Sequence, residues 1–275
     1  MAEMKSRQRF AARMRGRRRF NRDRMKKGIY VLPNLFTTAS LLAGFYSIVM
    51  AMYGKFTRAS VAILIAWVLD GLDGRMARLT NTTSKFGAEY DSLADLVAFG
   101  VAPAILVYVW SLSPYGKWGW MAAFLFVVCG ALRLARFNVQ VNIIDKRLFN
   151  GLPIPAAAVV VASTVILFHH LGVEGRFNHV GILFAVAAVS LLMVSSVKYY
   201  SFKDLNYFTR KPFISFVLIV LIMMIVIAEP QITIFTFSLG YSLSGPAWFI
   251  LKLIRRKGGA FAKEEAKDIE AGAKS

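Results

Sequence analysis

Four aspartates fall close together in two short stretches, Asp70 and Asp73 in "DGLDGRMAR" and Asp91 and Asp95 in "GAEYDSLAD". Helical positions three or four apart share a face, so each pair points one way. Four clustered carboxylates cannot all stay ionised without counter-charge. Hard divalent cations held through oxygen are the economical solution. A purely structural reading pairs them with Arg75, Arg78 and Lys85 at the helix ends. Gly74 and Gly87 weigh toward a ligand, since small residues beside the cluster let a second helix or a phosphate approach the backbone.

The elements that carry these residues are apolar. The chain is 57% hydrophobic and 13% aromatic, and its runs reach the ~20 residues that cross a hydrocarbon layer. They are continuous rather than alternating, which excludes a β-barrel. The sequence predicts an all-α polytopic membrane protein with about eight spans: 31–52, 59–79, 87–110, 118–140, 153–171, 180–197, 213–228 and 232–253. Polar breakers separate them, among them "LTNTTSKF" at 79–86. That short turn makes spans two and three antiparallel neighbours and brings the four carboxylates to one membrane depth.

Charge sets the orientation. The net charge of +19 is concentrated in terminal segments that flank apolar spans, which favours an anionic lipid leaflet over nucleic acid. With eight spans and a cytoplasmic N-terminus, thirty Lys/Arg fall on the cytoplasmic side. Only Lys55, Arg58, Lys117 and Arg176 fall on the other. Both termini are therefore expected in the cytoplasm, with the aspartates at that end of their spans. The basic N-terminal arm reads as a solvated topology signal, with no cleavable leader pattern after it. Cys129 is alone and fits a buried apolar site. His169, His170 and His179 map to the opposite end and fit interfacial caps rather than metal ligands.

The spacing is specific. Asp70, two residues, Asp73-Gly74, two residues, Ala77-Arg78, eight residues, Gly87, three residues, Asp91, three residues, Asp95 resembles the signature of the CDP-alcohol phosphatidyltransferases at every specified position. The resemblance implies a six-helix core around a polar cavity open to the cytoplasm, where a CDP-linked lipid reacts with an alcohol to release CMP. It further implies two divalent metals, Mg or Mn. Asp70, Asp73 and Asp91 would hold one, Asp91 and Asp95 would serve the other, and Asp95 would act as general base. Gly74, Arg78 and Ser84 would meet the CDP phosphates, with Gly87 beside them.

Further stretches, "YVLPNLFTTASLLAGFYSI", "ALRLARFNV", "FNGLPIPAAA" and "YYSFKDL", are similar to the bacterial membrane-embedded phosphatidylserine synthases within that family. CDP-diacylglycerol and L-serine are the substrates this implies, in the bacterial inner membrane and in a homodimer. Asn34 and Thr37 resemble the entrance of the cytidine pocket, although Asn34 fits a helix cap equally well. Arg133 and Arg136 share a helix face and suit the serine carboxylate, or snorkel to lipid headgroups. Glycerol 3-phosphate is an alternative acceptor with the same need for cations, and inositol fits less well. "GLPIP" fixes an extended lead into span five, and Lys203 suits an interfacial phosphate. The expected organisation is a basic arm (1–29), a catalytic core (30–210), two added helices (211–254) and a charged tail (255–275). An ion-coupled transporter is the reading from another class, but transporters scatter acidic residues near the midplane, whereas here they crowd one hairpin end.

Overall fold

Backbone in hydrocarbon must close its hydrogen bonds internally, and for a single segment only a helix does so. The computed structural model describes residues 34–79, 84–140, 148–173, 175–200 and 212–249. The basic arm, the polar turn at 80–83, Lys203 and the charged tail lie outside the described residues. Each of the eight predicted runs contains a helix in its described part.

Helix α1 (Asn34–Met52) ends in a Schellman turn. Gly54 takes φ +71°, its N–H donates to Ala51 O, and the Lys55 N–H reaches Met50 O at 2.9 Å. Helix α2 (Phe56–Leu79) runs back alongside. The third rod, α3, is compound. An α-helical Lys85–Asp95 passes into a π-helical turn Leu96–Val101, then α-helical Ala102–Val107 and a second π-helical turn Tyr108–Leu112. A tight 3₁₀ turn at Ser113–Tyr115 and Gly116 at φ +53° reverse the chain into α4 (Gly116–Gln140).

A two-stranded antiparallel ribbon interrupts the otherwise helical fold. It pairs β1 (Leu148–Asn150) with β2 (Lys198–Tyr200) and brackets α5 (Ile154–His170) and α6 (Val180–Val194). The "GLPIP" lead is extended as expected, with Pro153 at φ −57°, ψ 135°. Gly151 sits at φ +81° against the Met193 carbonyl. Helix α7 (Pro212–Ala228) and a last helix α8 (230–249) follow.

Packing follows membrane rules. Helix α2 lies against α5, and α4 against α6. The shared core is Phe99, Leu106, Phe126, Leu152 and Ile154 with many alanines between them. Small residues let the backbones close in. A Cβ on Gly44 of α1 would stand 2.6 Å from Ala98 Cα of α3. Cys129 is buried, as expected. Leu42, Met52, Trp118, Phe184 and Ile227 are each 66–72% exposed, an apolar exterior that water does not tolerate on this scale.

Among the described residues, two stretches are long and apolar enough to cross a bilayer, Asn34–Met52 and Lys85–Val139. The second is folded by the turn at 113–116 into two legs. Helices α5 and α6 are shorter, at 17 and 15 residues. Of the histidines, His179 caps α6 by accepting from Gly181 N at 3.0 Å, and His170 lies 3.6 Å from Glu229.

Replacing Gly44 with Val should force α1 from α3 at a cost of about 1–3 kcal/mol. That appears as a lowered thermal midpoint in detergent. Gly240→Ala, at a position with nothing within 4 Å, should leave the midpoint at or above wild type.

Candidate active site

The last turns of α2 carry Asp70 and Asp73, and the first turns of α3 carry Asp91 and Asp95. Folding brings one carboxylate oxygen each of Asp70, Asp91 and Asp95 within 4.8 Å of one another. Asp73 lies beside them but turns inward, 4% exposed, where it accepts a hydrogen bond from Thr37 Oγ1 at 2.9 Å. The four carboxyl groups act on one another electrostatically, Asp95 feeling Asp70, Asp91 and Asp73, and Asp70 and Asp95 lie within hydrogen-bond reach of each other. Among the described side chains no Lys or Arg forms an ion pair with any of them, and Arg75 and Lys85 point outward as exposed residues. The structural pairing with those two cations is therefore not made. Three convergent hard oxygen donors plus a buried, hydrogen-bonded fourth fit a divalent cation.

Helix α1 stitches the hairpin together. Besides the Thr37–Asp73 bond, Thr38 Oγ1 lies 2.9 Å from Tyr90 Oη of α3. Asn34 Oδ1 would be 3.3 Å from a Cβ on Gly87. Thr37 is buried, and its hydroxyl donates to a carboxylate of the cluster. Ser84 is the N-cap of α3, φ −115°, ψ 153°, and accepts from Gly87 N at 2.9 Å. Its own O–H remains a donor. Gly87 is packed against Ser84 and Asn34, so its smallness serves the close approach of α1 and α3. A Cβ on Gly74 would meet nothing within 4 Å among the described residues, so its lack of a side chain serves no described helix contact. The backbone of Arg78 lies in α2, but its side chain is outside the described residues.

Directly after Asp95 the π-helical turn re-phases α3, so that Ala98, Phe99 and Gly100 are all buried below the site. Such turns recur at functional positions. From α4, Asn138 Nδ2 donates to Ser92 Oγ at 3.0 Å and fixes α4 against α3. Arg133, on the same helix, does not snorkel. Its Nε is buried with no hydrogen-bond partner among the described residues, and its guanidinium is an electrostatic neighbour of Asp95 and of Tyr241 on α8. Arg136 is half-buried one turn on.

Sequence reasoning missed Thr37 as the partner of Asp73, the Thr38–Tyr90 and Asn138–Ser92 links, and Tyr241. Only the Ser84 cap had a local signal, a serine just before a helical run. The others depend on which helices meet.

This arrangement defines a class. Residues 30–194 match the CDP-alcohol phosphatidyltransferase family, and the chain belongs to that family. Among its relatives is the CDP-diacylglycerol–serine O-phosphatidyltransferase of Helicobacter pylori (strain J99), 40% identical over 82% of this chain and 94% of the relative. The protein of that name from Mycobacterium tuberculosis (strain H37Rv) is 39% identical over 64% of this chain and 63% of its own length. An archaetidylserine synthase of Methanothermobacter thermautotrophicus is 36% identical, covering 64% and 72%.

Thr37→Val removes the donor to a buried carboxylate and should lower stability by about 1–3 kcal/mol, read as a lowered unfolding midpoint, while Thr37→Ser keeps the bond and the midpoint.

Proposed function

We propose that this chain transfers the phosphatidyl group of CDP-diacylglycerol to the hydroxyl of L-serine, giving phosphatidylserine and CMP. The observation that carries the reading is the convergence of Asp70, Asp91 and Asp95 from the two halves of the family signature. The serine acceptor is supported by relatives bearing that activity in their names, one of them matched over 94% of its length.

Asp70, Asp73 and Asp91 would hold one divalent ion and Asp91 and Asp95 a second, Mg or Mn. Ions held there would supply positive charge to offset that of the diphosphate as the displacement proceeds. The remaining work belongs to the chain. Asp95 accepts the proton of the serine hydroxyl, because an unactivated alcohol is a poor nucleophile. The serine oxygen bonds to the phosphorus that carries diacylglycerol, and the bond from that phosphorus to CMP breaks. Open space at Gly74 admits the phosphates, the Ser84 hydroxyl donates to them, and Arg78 supplies fixed positive charge. Asn34 and Thr37 flank the cytidine side, with Thr37 acting through Asp73. Arg133 and Arg136 face the serine carboxylate.

In this reading the protein spans a bacterial inner membrane eight times, six spans forming the core (30–210) and two following it (211–254). Both termini and the site face the cytoplasm, anionic lipids surround the basic ends, and the working unit is a homodimer.

Purified protein with CDP-diacylglycerol and Mn or Mg should release CMP when serine is supplied, and not with inositol or glycerol 3-phosphate. Turnover with one of those instead overturns the acceptor. Asp95→Asn should lower turnover by about 10²–10⁴-fold while CDP-diacylglycerol still raises the unfolding midpoint; near-normal turnover removes its role as base. Chelation should abolish CMP release, and added Mg or Mn should restore it.

A further inference from the structure

Helix α8 lies beyond residues 30–194, the part of the chain that matches the family, yet it is docked into the core by one polar stripe. Ser238, Tyr241, Ser242 and Gly245 recur at helical spacing and so share a face. Ser238 Oγ lies 3.0 Å from Ser163 Oγ, a fully buried position on α5. The carbonyl of Ser242 accepts from Tyr199 Oη at 2.9 Å. Tyr199, the middle residue of β2, is 0% exposed. Its ring fills the notch left by Gly245, where a Cβ would stand 2.5 Å from it. The same ring lies 5.6 Å from that of Tyr241, tilted by 44°. Tyr241 is thus held by Tyr199 and is an electrostatic neighbour of Arg133.

Arg133 is the unfinished part of this assembly. Its Nε–H is buried and has no acceptor among the described residues, an arrangement that costs free energy unless a ligand supplies the partner. The Nε edge of a guanidinium is one of the forks that receive a carboxylate through two parallel hydrogen bonds. Asp95 is its other electrostatic neighbour. A carboxylate-bearing alcohol seated on Arg133 therefore presents its hydroxyl toward the carboxylate assigned as base.

We propose that α8 completes the acceptor subsite, with Tyr241, propped by Tyr199, positioning the Arg133 guanidinium beside Asp95 to receive the carboxylate of an amino-acid alcohol. This rests on the serine reading above and extends it to a helix outside the family-matched region. Tyr241 is a positioning residue: it acts through Arg133 and touches neither the phosphates nor the reacting oxygen.

The test uses the full-length enzyme with Mn and CDP-diacylglycerol. Tyr241→Phe keeps the ring on Tyr199 and removes only the hydroxyl, so it is the deciding variant. It should raise the KM for serine about 3- to 10-fold, with kcat and the KM for CDP-diacylglycerol within about twofold of wild type. In an Arg133→Lys background the same substitution should change the serine KM by less than about twofold, because the group it positions is gone. An unchanged serine KM in Tyr241→Phe overturns the proposal, as does an equal rise for both substrates or an equal effect in both backgrounds. If the wild type releases CMP with another alcohol and not with serine, the acceptor reading fails and this inference falls with it. Serine-dependent wild type with an indifferent Tyr241→Phe removes this inference alone.

Discussion

Mutual repulsion among four carboxylates at the ends of two apolar helices is the constraint around which this protein is organised. Like charges in a low-dielectric setting oppose their own burial. Helices α2 and α3 nevertheless bring Asp70, Asp91 and Asp95 to within 4.8 Å. The surrounding structure holds them there. Thr37 donates to Asp73, Thr38 meets Tyr90, and Asn34 abuts Gly87. Helix α1 thereby acts as a clamp on the acidic hairpin, which makes the site a three-helix construction even though its carboxylates come from two.

The clamp closes because the helices are lined with small residues. Association in a bilayer gains little from hydrophobicity and relies on close backbone approach. Gly44 against Ala98 brings α1 to α3, and the alanines of α2 and α5 let those two pack side by side. Rigid packing below the site supports geometry above it. The π-helical turn after Asp95 couples the two, since it re-phases α3 so that Ala98 and Phe99 bury while Asp95 stays with the cluster.

Two sides of the site have different support. In the proposed reading, the phosphate side would be built from backbone and short polar groups: the Ser84 cap, the space beside Gly74 and the first turn of α3. These are features a diphosphate requires whatever the acceptor alcohol. In the proposed reading, the acceptor side would draw on α4, the ribbon and α8, through Arg133, Tyr199 and Tyr241. A family that shares donor chemistry and varies its alcohol would keep the first set in one motif and draw the second from elements outside it, and this chain is divided in that manner.

The apolar runs were readable because hydrocarbon leaves a lone segment no alternative to the helix. The acidic motif was readable because both halves of its spacing are local: three or four residues set a helix face, and a short turn sets the hairpin. Cys129 in the core, the His179 cap and the extended lead at Pro153 follow from equally local chemistry. Tertiary structure alone decided that Thr37 donates to Asp73, that Gly87 accommodates α1 while Gly74 meets no described neighbour, and that Arg133 turns inward toward Asp95 and Tyr241. For Thr37, Gly87 and Arg133 the deciding neighbour lies on a different helix, and no short-range pattern records which faces meet. An arginine near a helix end reads the same whether it snorkels or is buried, and only the packing of α4 against its neighbours separates the two.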